Sequence, residues 1–155
     1  MVNLMLLLSI QAAISATEIK YGLPPGLMLA IQQVESNGDP KAHVRHDGKS
    51  NKASYGLFQL QLSTARFMGF KGKPSDLFKP TINIEFAGRY IHWLFENVTN
   101  GNPARTLRCY NAGPHSKICK KDLGYVDKIL NVYLNNLSTQ PAVLSNNTQA
   151  VGEEK

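Results

Sequence analysis

The strongest constraint on the fold of this chain is a helical spacing of apolar residues in its middle region. In the clearest segment four apolar residues stand at positions i, i+3, i+4 and i+7: Leu27, Ala30, Ile31 and Val34. Pro24-Pro25 before them is typical of a helix start, and the stretch Ser36 to Pro40 supplies a Gly cap and a Pro stop. The sequence therefore predicts a helix that ends near residue 36.

Other segments carry similar signals. They predict a short helix from Ser63, a longer one capped by Thr81 and running to about Asn100, one from Pro103 to Gly113-Pro114, and a last one from about Leu123. Residues 41–53 are polar, so they are expected to form a loop with at most a small β-hairpin. Five or six helices with little strand make the fold class mainly α.

The first residues allow two interpretations. Leu4 to Ile14 is apolar enough for a signal peptide cleaved near Ala16, although no Lys or Arg precedes it. The same stretch has the spacing of an amphipathic helix, and we favour this first helix over a cleaved signal. Residues 138–155 are rich in Ser, Asn, Thr and Gln, which predicts a disordered tail. The expected organisation is residues 1–16 as signal peptide or start of the first helix, one folded domain over 17–137, and the tail.

Charge and length exclude several classes of protein. The 155 residues suit one domain, and 17 Lys and Arg against 11 Asp and Glu give a net charge of +6, which favours a polyanionic partner. The basic residues are dispersed and few aromatic residues accompany them, so nucleic-acid binding is not expected. An apolar run long enough to cross a membrane, a P-loop and a dinucleotide fingerprint are all missing from the sequence.

The cysteines and histidines also need interpretation. Cys109 and Cys119 either close a short disulfide loop or are two unrelated thiols, and the sequence does not decide between these alternatives. His115 lies between them, but no fourth ligand stands at a familiar zinc spacing. His43 and His46 are interpreted as solvated loop residues. We therefore expect no metal and no cofactor.

Glu35 is the most informative residue for chemistry. It lies about 80° round its helix from Leu27, at the margin of the buried face. Partial burial and the negative end of the helix dipole would both raise its pKa, as a proton-donating carboxylic acid requires. On this segment alone, however, an ordinary solvated glutamate is the commoner case.

A constellation of motifs changes that balance. In chain order they are Tyr21-Gly22-Leu23-Pro24-Pro25 with the helix ending Val34-Glu35-Ser36; Gly56-Leu57-Phe58-Gln59-Leu60 followed by Ser63-Thr64-Ala65; Leu77-Phe78 to Tyr90-Ile91; Tyr110-Asn111-Ala112-Gly113-Pro114; and Gly124-Tyr125-Val126. Together they resemble the lytic transglycosylases with a soluble-type, goose-lysozyme-like catalytic domain, and the match covers roughly residues 17–135. The resemblance implies a lysozyme-like helical fold of the goose type.

The resemblance also implies a reaction. Glu35 would be the sole catalytic acid and base. It would protonate the glycosidic oxygen between N-acetylmuramic acid and N-acetylglucosamine in peptidoglycan, then accept a proton from the muramoyl 6-hydroxyl to leave a 1,6-anhydromuramoyl end. Ordinary glycosidases use two carboxylates instead. A hydrolytic muramidase on the same fold, or a non-catalytic glycan-binding component of a virion or secretion machine, remain alternatives.

Five further residues receive roles as substrate-binding or orienting groups. Gln59 and Asn111 offer amide groups suited to sugars. By the resemblance, the Tyr125 hydroxyl points at the catalytic glutamate. Tyr110 either packs beneath the cleft or belongs to the core, and Ser36 either orients the glutamate or caps the helix locally.

Some residues fall outside the resemblance or depart from it. Glu85 and Glu96 belong to no matching motif and are interpreted as solvated charges on a helix face. Ser50 is a weak candidate for a further serine of the family. Cys109 replaces an alanine, and Gln61-Leu62 stands where the family often has Met-Pro, which puts the apolar lining of one subsite in doubt.

The expected partner is the peptidoglycan glycan strand, with no stable membrane insertion of the mature domain and a monomeric state. The protein would be periplasmic or secreted if the N-terminus is a signal peptide, and otherwise delivered by a phage or a dedicated machine. Small enzymes of this type often open the cell wall for secretion, conjugation or phage entry machinery.

Overall fold

The computed structural model describes residues 4–45, 53–115, 119 and 124–139. In chain order these residues form α1 (Leu4–Tyr21), α2 (Leu27–Ser36), β1 (His43–Val44), β2 (Ser54–Tyr55), β3 (Leu60–Gln61), α3 (Leu62–Phe67), a 3₁₀ helix (Pro74–Phe78), α4 (Pro80–Asn97), α5 (Pro103–Ala112) and α6 (Tyr125–Thr139). The mainly α fold with a small β element, predicted from the sequence, is confirmed.

The ends of the helices show two differences from the prediction. Asn37, not a glycine, takes the left-handed conformation that ends α2, with φ 51°, and its N–H bonds to the Gln33 carbonyl. Asparagine tolerates this conformation better than most residues. The expected cap at Thr81 is wrong, because α4 begins one residue earlier at Pro80. Proline suits the first position, where its fixed φ is helical and its missing N–H costs no hydrogen bond.

Helix α1 is part of the packed structure. Ile10 and Ile14 lie in the main core with apolar residues of α2, α4, α5 and α6. Gly88 of α4 lets α1 approach closely, since a Cβ there would stand 2.4 Å from Cγ2 of Thr17. Residues 4–21 form a helix, and the assignment of residues 1–16 as signal peptide or as start of the first helix stays a prediction.

A buried carboxylate joins α1 to α2. Glu18 is only 3% exposed, and its two oxygens accept hydrogen bonds from the N–H groups of Gly26 and Met28, at 2.8 and 2.7 Å. These N–H groups belong to the first turn of α2, which has no partners for them within the helix. Glu18 thereby fixes the start of the helix whose last turn carries Glu35.

At the other end, α6 runs through Ser138 and Thr139, two residues into the segment predicted to be disordered. The rest of that segment lies outside the described residues, as do His46 and Ser50.

The three short strands form one antiparallel sheet in the order β1-β2-β3. Val44 pairs with Ser54, and Ser54 pairs with Gln61. The fully buried Asn83 of α4 fixes this region by donating to the carbonyls of Tyr55 and Leu77 and accepting from the N–H of Phe58, each at 2.8 Å. One side chain thus attaches the sheet and the 3₁₀ helix to the central helix.

Cys109 at the end of α5 forms a disulfide with Cys119. Both residues are buried, and they pack with Tyr90 and Leu94 of α4. Of the two alternatives left open by the sequence, the structure shows the disulfide.

Candidate active site

A cleft of about 600 Å³ lies between the end of α2, the small sheet and the end of α5. Its lining is contributed by residues far apart in sequence: Glu35, Val44, Ser54, Gln59, Leu60, Gln61, Thr64, Tyr90, Tyr110, Asn111, Ala112 and Gly113. Four of the six site residues predicted from sequence are therefore brought to one cavity: Glu35, Gln59, Tyr110 and Asn111.

Glu35 occupies the last turn of α2 and is half-buried at the cleft. Burial raises the pKa of its carboxyl group above the ordinary value, while a hydrogen bond from the Tyr125 hydroxyl acts in the opposite direction. Burial dominates because a charge loses hydration when it leaves water. The carboxyl group is thus both held in place and biased towards its protonated form.

Tyr125 is the first residue of α6 and donates its hydroxyl hydrogen to Oε1 of Glu35. Burial and the nearby Glu35 charge raise the pKa of Tyr125 above that of a free phenol, so the donor keeps its proton. This is the contact that the family resemblance implies for this tyrosine.

Tyr110 serves the core and the cleft at once. Its hydroxyl donates to the Phe58 carbonyl at 2.7 Å, its ring lies 5.6 Å from that of Tyr90, and it lines the cleft. Burial, with a smaller effect of the Glu35 charge, raises its pKa well above the ordinary value. The two alternatives for this residue are therefore not exclusive.

Gln59 lines the cleft, and its amide is used within the protein. Its backbone has a positive φ of 45°, and its Nε2 donates to the carbonyls of Ala42 and Gly56, at 3.1 and 2.9 Å. Within the described residues, its buried Oε1 has no hydrogen-bond partner. The amide nitrogen is thus used to fix the loop beside the cleft. Asn111 is exposed at the cleft.

Ser36 makes a contact within its own helix, and a role in orienting Glu35 stays a prediction. Its hydroxyl donates to the Gln32 carbonyl one turn earlier, at 3.2 Å, rather than to Glu35, and α2 is ended by Asn37. A serine within a helix commonly makes this bond because the carbonyl four residues back lies in reach.

The interpretation of Glu85 as a solvated charge is also wrong. Lys20 and Arg89 form ion pairs with it at 2.9 and 2.8 Å, and the Tyr21 hydroxyl donates to it at 2.7 Å. Burial alone would raise its pKa, but these hydrogen bonds lower the pKa to about 2. Glu85 is therefore an ionised link between α1 and α4. Glu96 is exposed, as expected.

Sequence reasoning missed Ser54, which lines the cleft from the middle strand. Only the pairing register of the sheet reveals it, and a two-residue strand carries too little periodicity to predict that register. Among the described residues lining the cleft, Glu35 is the only carboxylate. No group of three or more metal-ligating side chains occurs in the described part of the chain.

A mainly α domain with a small sheet, whose cleft holds a half-buried glutamate at the end of a helix, has the architecture of the lysozyme-like class. The transglycosylase SLT domain family matches residues 12–130, and this chain belongs to that family.

Curated relatives are lytic transglycosylases. The chain is 40% identical over 88 residues to the endo-type membrane-bound lytic murein transglycosylase A of Enterobacter sp. (strain 638), covering 52% of this chain and 40% of the relative. It is 34% identical over 116 residues to the membrane-bound lytic murein transglycosylase C of Photorhabdus laumondii, covering 66% and 31% respectively. The chain therefore spans well under half the length of these relatives. In the described segments, no helix combines the length and apolar character needed to cross a bilayer.

Solved structures share the fold. An inactive variant of the lytic transglycosylase Slt from Pseudomonas aeruginosa matches with a TM-score of 0.65 at 20% identity, over 82% of this chain and 24% of that chain. The 70-kDa soluble lytic transglycosylase of Escherichia coli matches with the same TM-score and identity, over 83% and 24%.

Proposed function

We propose that this chain is a peptidoglycan lytic transglycosylase in which Glu35 is the single acid and base. The observation that carries the proposal is the state of Glu35: it lies in the cleft, burial raises its pKa, and the Tyr125 hydroxyl holds one of its oxygens. A carboxylic acid that keeps its proton at higher pH than usual can donate it to a leaving oxygen.

The proposed reaction has two proton transfers. Glu35 gives its proton to the glycosidic oxygen between N-acetylmuramic acid and N-acetylglucosamine, and the bond to the anomeric carbon breaks. The resulting carboxylate then accepts the proton of the muramoyl 6-hydroxyl as that oxygen bonds to the anomeric carbon. The product is a 1,6-anhydromuramoyl end, and the enzyme returns to its starting state.

The proposed route needs one carboxylate, and Glu35 is the only one among the described residues that line the cleft. Glycosidases that deliver water or form a covalent intermediate use two carboxyl groups across the bond. In the proposed route the muramoyl 6-hydroxyl of the substrate is the nucleophile, so a second carboxylate is not required. A single glutamate can also serve a water-using muramidase, so the chemical identity of the product decides between the two.

The buried disulfide supports a location outside the reducing cytosol, at the cell wall in the periplasm or outside the cell. We further propose that the domain acts as a monomer on glycan strands and that its +6 charge favours the anionic wall. We also propose, from the family resemblance alone, a role in opening the wall for secretion, conjugation or phage entry machinery.

The test is digestion of purified sacculi by the parent chain and by Glu35→Gln, which keeps the size of the side chain but has no acidic proton to give. We expect release of muropeptides to fall by about 10²- to 10⁴-fold, the contribution of general acid–base catalysis. Glu96→Gln, on an exposed carboxylate of α4, is the matched control and should retain full activity.

Mass spectrometry of the products then tests the mechanism. Anhydro ends are one water lighter than reducing muramic ends. Reducing ends from the parent chain would reject the transglycosylase reaction in favour of a muramidase. Undiminished release by Glu35→Gln would reject Glu35 as the acid, and no release by the parent would favour the non-catalytic alternative.

A further inference from the structure

One row of the small sheet forms a wall of the cleft. Val44, Ser54 and Gln61 are direct cross-strand neighbours, and all three line the cavity. Directly paired residues of antiparallel strands project to the same face of a sheet. The three side chains therefore present one continuous surface to the space that also contains Glu35.

The alternate row faces the other way. His43, Tyr55 and Leu60 are paired in the same manner. His43 and Tyr55 lie outside the cleft lining, whereas Leu60 contributes to the lining and also packs into the neighbouring core. The ring of His43 stacks on Tyr55 at 5.0 Å, and Leu60 is buried with Phe70 and Leu77. This packing fixes the register, because a shift by one residue would exchange the two rows. The pairing register thus determines which side chains form the wall.

The cleft-facing row has unused hydrogen-bonding groups. In the part of the chain that the structure describes, no side-chain hydrogen bond is formed by Ser54 or Gln61, although Ser54 is only 7% exposed. One turn beyond Gln61, Thr64 of α3 adds another hydroxyl to the lining. Gln59, whose buried Oε1 has no hydrogen-bond partner among the described residues, also lines the cleft.

The hydrogen-bonding groups of this wall favour one class of ligand. A carboxamide such as that of Gln61 offers one acceptor and two donors, and a serine hydroxyl can donate or accept. Together they match a secondary amide, which carries one N–H and one C=O. The wall is also uncharged, whereas a carboxylate ligand would need a cation. In the family that the sequence resembles, a Met-Pro pair often stands at the position of Gln61-Leu62.

We propose that Ser54 and Gln61 form a subsite that binds a secondary amide of the peptidoglycan strand and thereby sets substrate preference. This proposal rests on the proposed function of the cleft. Peptidoglycan carries such amides in two places, the acetamido groups of its sugars and the stem peptides. Gln61 is a positioning residue in this scheme and takes no part in proton transfer.

The experiment measures binding by calorimetry in the Glu35→Gln background, where turnover does not interfere. The variants are Gln61→Met and Ser54→Ala, and Gln11→Met on α1 is the matched control because Gln11 does not line the cleft. The probes are chitooligosaccharides, glycan strands with stem peptides, and the same strands after an amidase has removed the peptides.

We expect Gln61→Met and Ser54→Ala each to weaken binding by about three- to tenfold, the effect of one hydrogen bond, and Gln11→Met to have no effect. Weaker binding of all three probes supports the subsite and assigns it to the acetamido group. Weaker binding of peptide-bearing strands alone supports it and assigns it to the stem peptide. Unchanged binding of every probe overturns the proposal.

Kinetics on sacculi separate this proposal from the proposed function. In the chain that keeps Glu35, Gln61→Met should raise KM by about three- to tenfold, the same factor as the loss of binding, and should leave kcat within about twofold. The reason is that the hydrogen bond is present both in the enzyme–substrate complex and in the transition state. A fall in kcat at unchanged KM would contradict the subsite. Inactivity of the parent chain would reject the proposed function, while the calorimetric comparison would still test amide binding.

Discussion

At the scale of single residues, two effects with opposite signs set the protonation of Glu35. Burial raises its pKa, and the hydrogen bond from Tyr125 lowers it by favouring the carboxylate. In the proposed reaction the glutamate must act first as an acid and then as a base. Burial favours the protonated form needed for the first step, and the hydrogen bond from Tyr125 favours the carboxylate needed for the second. The two effects together therefore suit the reaction better than either effect alone.

Tyr125→Phe tests this balance. The change removes the hydrogen bond that lowers the pKa of Glu35 and leaves the ring in place, so the pKa should rise further. Because the protonated form starts the reaction, the alkaline limb of the rate profile should move to higher pH. The maximal rate should fall by about 10- to 150-fold, since a hydrogen bond to a charged group contributes about 1.5–3 kcal/mol.

The measurement is muropeptide release from sacculi across a pH series. Tyr133→Phe, on the same helix and outside the cleft, is the control and should keep the parent profile. If the alkaline limb of the Tyr125→Phe profile moved to lower pH or did not move, the predicted rise in the pKa of Glu35 would be contradicted.

The raised pKa of Glu35 should also affect how the free energy of unfolding depends on pH. A carboxyl group with a raised pKa in the folded state stabilises that state in its protonated form, and this stabilisation is lost as pH rises through the folded pKa. Glu35→Gln stays neutral. In urea titrations above that pH it should therefore have a free energy of unfolding at least equal to that of the parent.

At the scale of elements, the close contact between α1 and α4 depends on Gly88, which has no side chain. Gly88→Ala would place a methyl group 2.4 Å from Cγ2 of Thr17 and 3.1 Å from Cδ2 of Tyr21. Overpacking of this kind costs about 1–3 kcal/mol, because packed helices separate or adopt poor rotamers. We expect Gly88→Ala to lower the free energy of unfolding by that amount in urea titrations.

A second substitution shows whether the cause is steric. Thr17→Ser removes the methyl group nearest to the new Cβ and keeps the hydroxyl, which bonds to the Ala13 carbonyl. In the double variant a large part of the stability should return. Equal stability of Gly88→Ala and the parent would mean that α1 does not pack closely on α4 in solution.

Elements with strong periodicity were predictable and elements fixed by distant contacts were not. The spacing from Leu27 to Val34 gives α2 correctly, because its apolar face is local information. The three strands depend instead on Asn83, which lies 25 residues after Phe58 in sequence. At the site, four residues of the motifs line one cleft, as the family resemblance implies: Glu35, Gln59, Tyr110 and Asn111. The cleft role of Ser54 and the ion pairs of Glu85 depend on tertiary pairing, which one sequence does not display.

At the scale of the whole molecule, the cleft is assembled from both halves of the chain. One wall is the sheet between residues 43 and 61, and the other is the end of α5, with Tyr110 to Gly113. The glutamate comes from α2, and the tyrosine that holds it comes from the start of α6. The geometry of the site therefore depends on how α5 and α6 are held relative to α2.

The disulfide acts on this assembly, because Cys109 directly precedes Tyr110 and Cys119 lies six residues before Tyr125. Closing a loop of this length stabilises a protein by roughly 3 kcal/mol on the chain-entropy model. We expect dithiothreitol to lower the free energy of unfolding of the parent chain by about that amount. The Tyr125 contact to Glu35 should weaken with it, so activity on sacculi should fall while the helical circular dichroism remains.

The double variant Cys109→Ala/Cys119→Ala separates the bond from the reagent. It should resemble the reduced parent in stability and activity and should not respond to dithiothreitol, since it has no bond to reduce. Alanine fits at position 109, where the resembled motif itself carries alanine, so loss of stability in the variant reports the missing bond rather than a steric clash. If the reduced parent and the double variant both kept the stability and the rate of the oxidised chain, the disulfide would have no part in holding α5 and α6 at the cleft.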